Sequence, residues 1–241
     1  ALFIMIDTNL NKQNQQTIKD TVFISGIGLH SGKQVDMKLV PAKVDEGVRF
    51  IRSDKRNNNV INAIWSNVSE TVLSTTISNQ NNLKISTIEH LMSALSGLHI
   101  DNLTIFINAA EVPIMDGSSK PFVDLIERVG IKVQNKKRKL LNVKKIIEVK
   151  NNKSSVKIIP NNQFSIDFEI DFPSQLVSKQ SCQLQLINGN YKTDIAAART
   201  FGFEKDVENL RSNGLALGGS LDNAVVVGEN RILNKDGLRY T

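Results

Sequence analysis

Apolar residues recur at two different spacings along this chain, and the switches between a period of two and a period near 3.6 mark out its elements. Val22-Phe-Ile-Ser-Gly-Ile27 reads as a strand entering a glycine-rich turn that ends at Lys33. Val35, Met37 and Leu39 alternate, and Gly47 to Arg52 reads as another strand, so 22–52 is expected to be an antiparallel hairpin system. A less regular, strand-rich stretch over 60–78 contains the polar run Ser74-Thr75-Thr76. Over 86–96 the period lengthens. Ile88, Leu91, Met92 and Leu95 fall on one helical stripe that Gly97 stops, and Ser86 followed by Glu89 predicts a capping box. Glu89 and His90 lie off that stripe, on a face shared with Ser93, Ala94 and Gly97, whose small size lets another group come close.

An apolar strand, Leu103-Thr-Ile-Phe-Ile107, comes next, then the loop Glu111-Val-Pro-Ile-Met-Asp-Gly-Ser-Ser119 with its two acids. It feeds a second helix with Pro121 in the first turn, a stripe of Phe122, Leu125, Ile126 and Val129, and Gly130 as its stop. The basic run at 134–139 reads as a solvated linker, and residues 7–20 as frayed. Strands are expected at 141–149 and 154–159. Phe164 to Phe172 alternates without a break as a half-buried strand, and Cys182, Leu184 and Leu186 continue the pattern. A short helix or turn at 194–200, a helix near 204–212, the glycine-rich loop Leu215–Ser220 and a hairpin over 224–233 complete the layout. The halves run in similar order, so the expected fold is α+β with two similar domains, each a helical layer packed on a mostly antiparallel sheet. The boundaries are 20–133 and 140–241, the second domain lacking its C-terminal helix. A sheet face left bare by that loss predicts poor solubility.

Composition changes this picture little. With 40% apolar and 22% charged residues, the 241-residue chain has the balance of an ordinary soluble globular protein. Its net charge of +6 favours an acidic partner, which can be a phosphorylated small molecule, a nucleic acid or a lipid head group. Cys182 stands alone, which excludes an internal disulfide and points to a reducing compartment. No apolar run approaches the roughly 20 residues of a membrane span. Ala1–Ile6 has no basic lead-in and makes a poor signal peptide, Met5 is a candidate initiator, and the expected location is the cytoplasm. The turn around His30 is not a phosphate loop. Ile27 and Gln34 stand where a Walker A motif needs Gly and Ser or Thr, and Ser31 takes the place of a dinucleotide fingerprint's third glycine. Taken singly, a capping acid and a helical His are more often structural than chemical.

In combination the motifs say more. Gly26-Ile-Gly-Leu-His-Ser-Gly32, Ser86-Thr-Ile-Glu-His90, Ile100-Asp-Asn102, Pro113-Ile-Met-Asp-Gly-Ser118, Ala198-Arg-Thr-Phe-Gly-Phe203, Gly214-Leu-Ala-Leu-Gly-Gly-Ser220 and Asp236-Gly-Leu-Arg239 occur in one order. That set resembles the zinc-dependent UDP-3-O-acyl-N-acetylglucosamine deacetylases of lipid A synthesis, from about residue 20 to the end of the chain. The resemblance implies hydrolysis of the acetamide of the acylated UDP-sugar, with release of acetate at a site between two domains. It also implies that the acidic partner is this sugar nucleotide and not a nucleic acid. By motif, His90 corresponds to a Zn2+ ligand, Glu89 to the base that activates water, and Thr200 to a hydroxyl supporting the oxyanion. Phe201 stands beside the substrate, and Ser74 near the sugar and acyl passage. Such chemistry needs a metal with an open position, because an amide resists water unless the water is acidified and the carbonyl polarised.

One departure stands out. The family's His-Lys-x-x-Asp segment, which gives two further zinc ligands, and its later general-acid His both follow the Asp-Gly-Leu-Arg stretch, and this chain ends at Thr241 before them. Of three His only His90 fits a ligand position, so the chain as written is expected to be metal-poor and inactive. The alternative is a catalytically dead protein that binds UDP-sugar or acyl chain. Asp116 is read as a structural turn residue. Reading past the last codon separates these possibilities.

Overall fold

The computed structural model of the chain describes residues 14–152, 154–186 and 189–240. The apolar start and Met5 therefore lie outside the described residues. In order come β1 (Asn14–Ile18), β2 (Val22–Ile27), β3 (Gln34–Pro41), β4 (Val48–Arg52), β5 (Val60–Asn62), β6 (Val68–Glu70), β7 (Thr76–Ser78) and β8 (Lys84–Ile85). Helix α1 (Glu89–Gly97), β9 (Leu103–Ile107), α2 (Lys120–Val129) and β10 (Ile131–Lys137) follow. The remainder is β11 (Ile147–Lys150), β12 (Ser155–Ile158), β13 (Ser165–Ile170), β14 (Gln180–Gln185), α3 (Tyr191–Asp194), β15 (Phe201–Phe203), α4 (Glu204–Ser212) and β16 (Val225–Val227). The architecture is α+β, with mostly antiparallel pairing.

The centre is a five-stranded sheet in the order β2-β3-β9-β4-β5. Alternation sends Val22 and Ile24, Val35, Met37 and Leu39, and Leu103, Ile105 and Ile107 to one face. There they join Leu91, Leu95, Phe122 and Ile126 of the two helices in one hydrophobic cluster. The expected hairpin system over 22–52 needs correction: β3 does not pair with β4. Strand β9 inserts between them, antiparallel to β3 and parallel to β4. It is apolar at nearly every position, which suits a central strand and not an edge.

Two further expectations are corrected at β1 and β10. Residues 14–18 are not frayed; they form β1, antiparallel to β10, with Ile18 fully buried. The basic run accordingly belongs to β10 as far as Lys137, with Arg138 and Lys139 just after it, and is not a free linker. Lys136 pairs with Asp45, while the Arg138 guanidinium donates from Nε to Asp101 Oδ1 at 2.7 Å and from Nη2 to Oδ2 at 2.8 Å. Helix α2 follows its expected stripe, with Val123 buried in addition, and Gly130 at φ 84° ends it. The strand expected from 141 begins at Ile147. In the second half β11–β12 and β13–β14 are separate two-stranded hairpins, and Phe168 is 60% exposed. β16 pairs in parallel with β15, and an antiparallel bridge from Val227 to Ile232 closes the expected hairpin after it.

Candidate functional site

The start of α1 is built by the chain just before it. Ser86 forms a parallel bridge with Glu111: its N–H donates to Ala110 O at 2.9 Å, and Val112 N–H donates to Ser86 O at 3.1 Å. Thr87 then takes φ 56° and is buried. Thr87 Oγ1 donates to Glu111 Oε1 at 3.1 Å. Only at Glu89 does the helix begin, so the expected capping box does not form. Ser86 is held in the bridge, its hydroxyl donating to Ala110 O at 3.3 Å, and Glu89 is already helical. Glu89 Oε2 instead accepts the backbone N–H of Thr75 at 3.0 Å. That bond draws the Ser74-Thr75 loop against the acid, and an acid in a first helical turn is favoured by the helix dipole.

His90 follows, half-buried. Burial pushes its imidazole below the ordinary value, opposed by the negative charges of Glu89 and Asp116. Asp116 is thus an electrostatic neighbour of His90, though it is far off in sequence. Burial would raise its carboxyl, but hydrogen bonds from Ser118 and Arg239 outweigh it and hold the group below the usual carboxylate range. Ser118 donates from N at 3.0 Å and from Oγ at 2.7 Å, and Arg239 Nη2 lies 2.8 Å from Asp116 Oδ2.

The second half reaches the same place through its backbone. Arg199 Nε donates to Asp116 O at 2.8 Å, and Thr200 N–H donates to Gly117 O at 2.8 Å. Gly117 has φ 85°, and a Cβ there would lie 2.2 Å from Asn223 O, so only glycine permits the approach. Thr200 O in turn accepts Val225 N–H at 2.9 Å. Phe201 stands in an edge-to-face group, its ring centroid 5.5 Å from Phe172 and 5.8 Å from Phe203. The small face of α1 also receives a visitor. Tyr191 shares a 2.8 Å hydroxyl hydrogen bond with Ser93, and its ring covers Gly97.

The structure therefore joins Glu89, His90 and the Ser74 loop directly, and Thr200 through the Asp116-Gly117 turn. Phe201 lies on the second-half side of that turn. An imidazole beside two carboxylates is donor chemistry suited to a divalent ion. Among the described residues, however, no group of three or more His, Cys, Asp or Glu is gathered that would hold one. His30 stays in its turn, its backbone N–H donating to Glu111 at 2.8 Å, and does not join His90. Asp116 is the turn residue expected of it, through Ser118, and it also lies near His90. Glu111, which the sequence marks only as a loop acid, is 3% exposed beside the apolar Val112 and Ile114.

A half-buried acid–imidazole pair opens α1, with Asp116 as an electrostatic neighbour of the imidazole and the Thr200 backbone bonded to the Gly117 turn. A family model described as LpxC, UDP-3-O-acyl N-acetylglycosamine deacetylase, matches residues 15–241. The chain is 46% identical over 225 residues to the UDP-3-O-acyl-N-acetylglucosamine deacetylase of Syntrophus aciditrophicus, covering 93% of this chain and 71% of that protein. It is 47% identical over 226 residues to that of Syntrophotalea carbinolica, covering 94% and 73%, and 45% identical over 228 residues to that of Shewanella pealeana, covering 94% and 74%. The chain belongs to the UDP-3-O-acyl-N-acetylglucosamine deacetylase family. Among the described residues no helix is long and apolar enough to cross a membrane.

Proposed function

We propose that this chain carries the reactive core of a hydrolase that releases acetate from UDP-3-O-acyl-N-acetylglucosamine in lipid A synthesis, using zinc, in the cytoplasm. The observation that carries this reading is the Glu89–His90 pair at the head of α1, in a chain whose relatives bear that enzyme's name. When bound, zinc supplies an acidified water and a polarised carbonyl. His90, kept neutral by its burial, offers the nitrogen lone pair such an ion needs. The described residues do not complete a ligand set around it.

The other roles follow from position. Glu89 Oε2 is engaged by Thr75 N–H, so Oε1 is the oxygen that accepts the proton of the attacking water. The Thr200 hydroxyl donates toward the oxyanion, held in place by the Gly117 backbone. Phe201, with Phe172 and Phe203, offers the substrate an apolar wall, and Ser74 lines the approach beside Glu89. Residues 20–133 and 140–241 act as two units that meet over this site.

The test is acetate release by the 241-residue chain and by a form extended to its relatives' length, each with and without a chelator. Glu89→Gln in the active form should lower the rate by roughly 10²- to 10⁴-fold. Turnover unchanged in a variant lacking both Glu89 and His90, or indifferent to the chelator, overturns the reading. A second reading, a UDP-sugar or acyl-chain binder without turnover, draws on the net charge of +6, which suits a diphosphate ligand. It requires calorimetric binding of the UDP-sugar with no acetate released.

A further inference from the structure

We propose that Glu111 is a positioning residue, the internal fastening that sets the first turn of α1 and hence the direction in which Glu89 and His90 point. This rests on the hydrolase reading of that pair.

Glu111 is 3% exposed, and among the described residues no Lys or Arg pairs with it; its carboxylate is satisfied by three neutral donors. Oε1 accepts His30 N–H at 2.8 Å and Thr87 Oγ1–H at 3.1 Å, and Oε2 accepts Ser31 N–H at 2.9 Å. A buried charge without an ionic partner is costly, and three converging hydrogen bonds are what make it tolerable. The surroundings are shaped to the carboxylate. A Cβ on Gly28 would lie 2.4 Å from Glu111 Oε2, so the glycine-rich turn reaches the acid only because Gly28 has no side chain.

Each donor leads to a different part of the site. Thr87, two residues before Glu89, holds φ 56°, a left-handed conformation that is an outlier for a β-branched residue. Such strain persists only where the surroundings over-determine it. Here the Ser86–Glu111 bridge holds Thr87 from one side, and the hydroxyl bond to Glu111 from the other. Relaxing Thr87 would swing the axis on which α1 starts. His30 and Ser31 belong to the turn on which the second-half loop sits: Leu217 N–H donates to His30 O at 3.2 Å, and Gly218 N–H to Leu29 O at 3.0 Å. Three residues beyond Glu111, Ile114 N–H donates to Ile27 O at 3.0 Å, and Asp116 follows. One carboxylate thus sets the helix start, the turn beneath the second half and the root of the Asp116 loop.

The experiment compares Glu111→Gln, Thr87→Val and Thr87→Ser in the complete protein. Gln turns an NH2 group toward a backbone donor, Val keeps the shape of Thr without its hydroxyl, and Ser restores the hydroxyl. The expected result is a kcat lowered roughly 10- to 100-fold in Glu111→Gln and less in Thr87→Val, as for small misplacements of reacting groups, with KM within about twofold of wild type. Thr87→Ser should recover most of the loss. Independently of turnover, amide hydrogen exchange should quicken at His30, Ser31 and the first turn of α1 in both damaged variants, and not in the β2-β3-β9 strands.

A Glu111→Gln protein that melts lower but keeps wild-type kcat and pH profile overturns the proposal. If Glu111→Gln fails to fold, Thr87→Val decides: wild-type kcat and exchange at the helix start overturn it. Glu89→Gln in the same assay separates the two readings. Full activity there sinks the hydrolase reading, and the exchange pattern still decides whether Glu111 sets the helix.

Discussion

The first half of the chain and the stretch from 147 to 185 use the same alternating grammar and reach opposite ends. Among the described residues, the largest fully buried side chains, from Ile18 to Phe122, all precede residue 130. In the two later hairpins Val149, Val156 and Phe168 are each at least 60% exposed, although Ile166-Asp-Phe168-Glu-Ile170 alternates as cleanly as Val35-Asp-Met37-Lys-Leu39. Alternation specifies a strand with one apolar face; it does not supply a covering layer. In the first half α1 and α2 are that layer. The difference also bears on the site, whose acid and imidazole ride on the well-packed half, while the second half comes to it through turns.

The sharpest way to break this contrast is to truncate one aromatic in each region. Phe50→Ala should cost about 3–5 kcal/mol in urea denaturation, by lost burial and the cavity left behind. Phe168→Ala should stay within about 0.5 kcal/mol. Equal losses would show that the hairpins carry as much packing as the central sheet.

A smaller effect is expected where the halves meet. Gly97→Ala would put a Cβ 2.1 Å from Tyr191 Cδ1, and overpacking of that kind costs about 1–3 kcal/mol. Tyr191→Ala should absorb much of it, so the double variant should fall well short of additive. Strict additivity in a melting series would mean that the ring does not rest on α1.

Next comes pH. The folded state holds the His90 imidazole below its ordinary value of 6.5, so the unfolded chain binds the proton more readily. That contribution to stability is intact above about pH 6.5 and is lost as pH falls through the depressed folded value. The Tm should drop over that interval, and His90→Gln should flatten the drop; an unchanged slope would place the imidazole in water. The least effect belongs to the exposed Lys120–Asp124 pair, 2.7 Å apart on α2. Asp124→Asn should cost about 0.3–0.5 kcal/mol at low salt and nothing measurable at high salt.

How much of this could be read beforehand follows the range of the interactions. Period-two and period-3.6 patterns are local, and they marked β9, α2 and the helix bearing Glu89 and His90 to within a few residues. The capping box does not form because the partner that takes Ser86 out of the helix, Glu111, is 25 residues away. β1 leaves no apolar pattern because Asn14-Gln-Gln-Thr17 is polar; Gln15 donates to Asp45 and Thr17 accepts from the Ala42 N–H, contacts that no periodicity encodes. Asp116 looked like a turn residue, and it is one, through Ser118. Its proximity to His90 comes from folding the 113–118 loop against the head of α1.

The parallel pairing of β4 with β9 has an outcome for synthesis. Val48 meets Leu103 and Arg52 meets Ile107, so everything from 53 to 102, the helix bearing Glu89 and His90 included, is a loop that those two strands shut. Closing a span of that size is slow compared with forming a hairpin. A nascent polypeptide that has not yet released Ile107 from the ribosome holds its acid and imidazole with no seat for them, because the strand that will flank Phe50 on the core face is still in the exit tunnel.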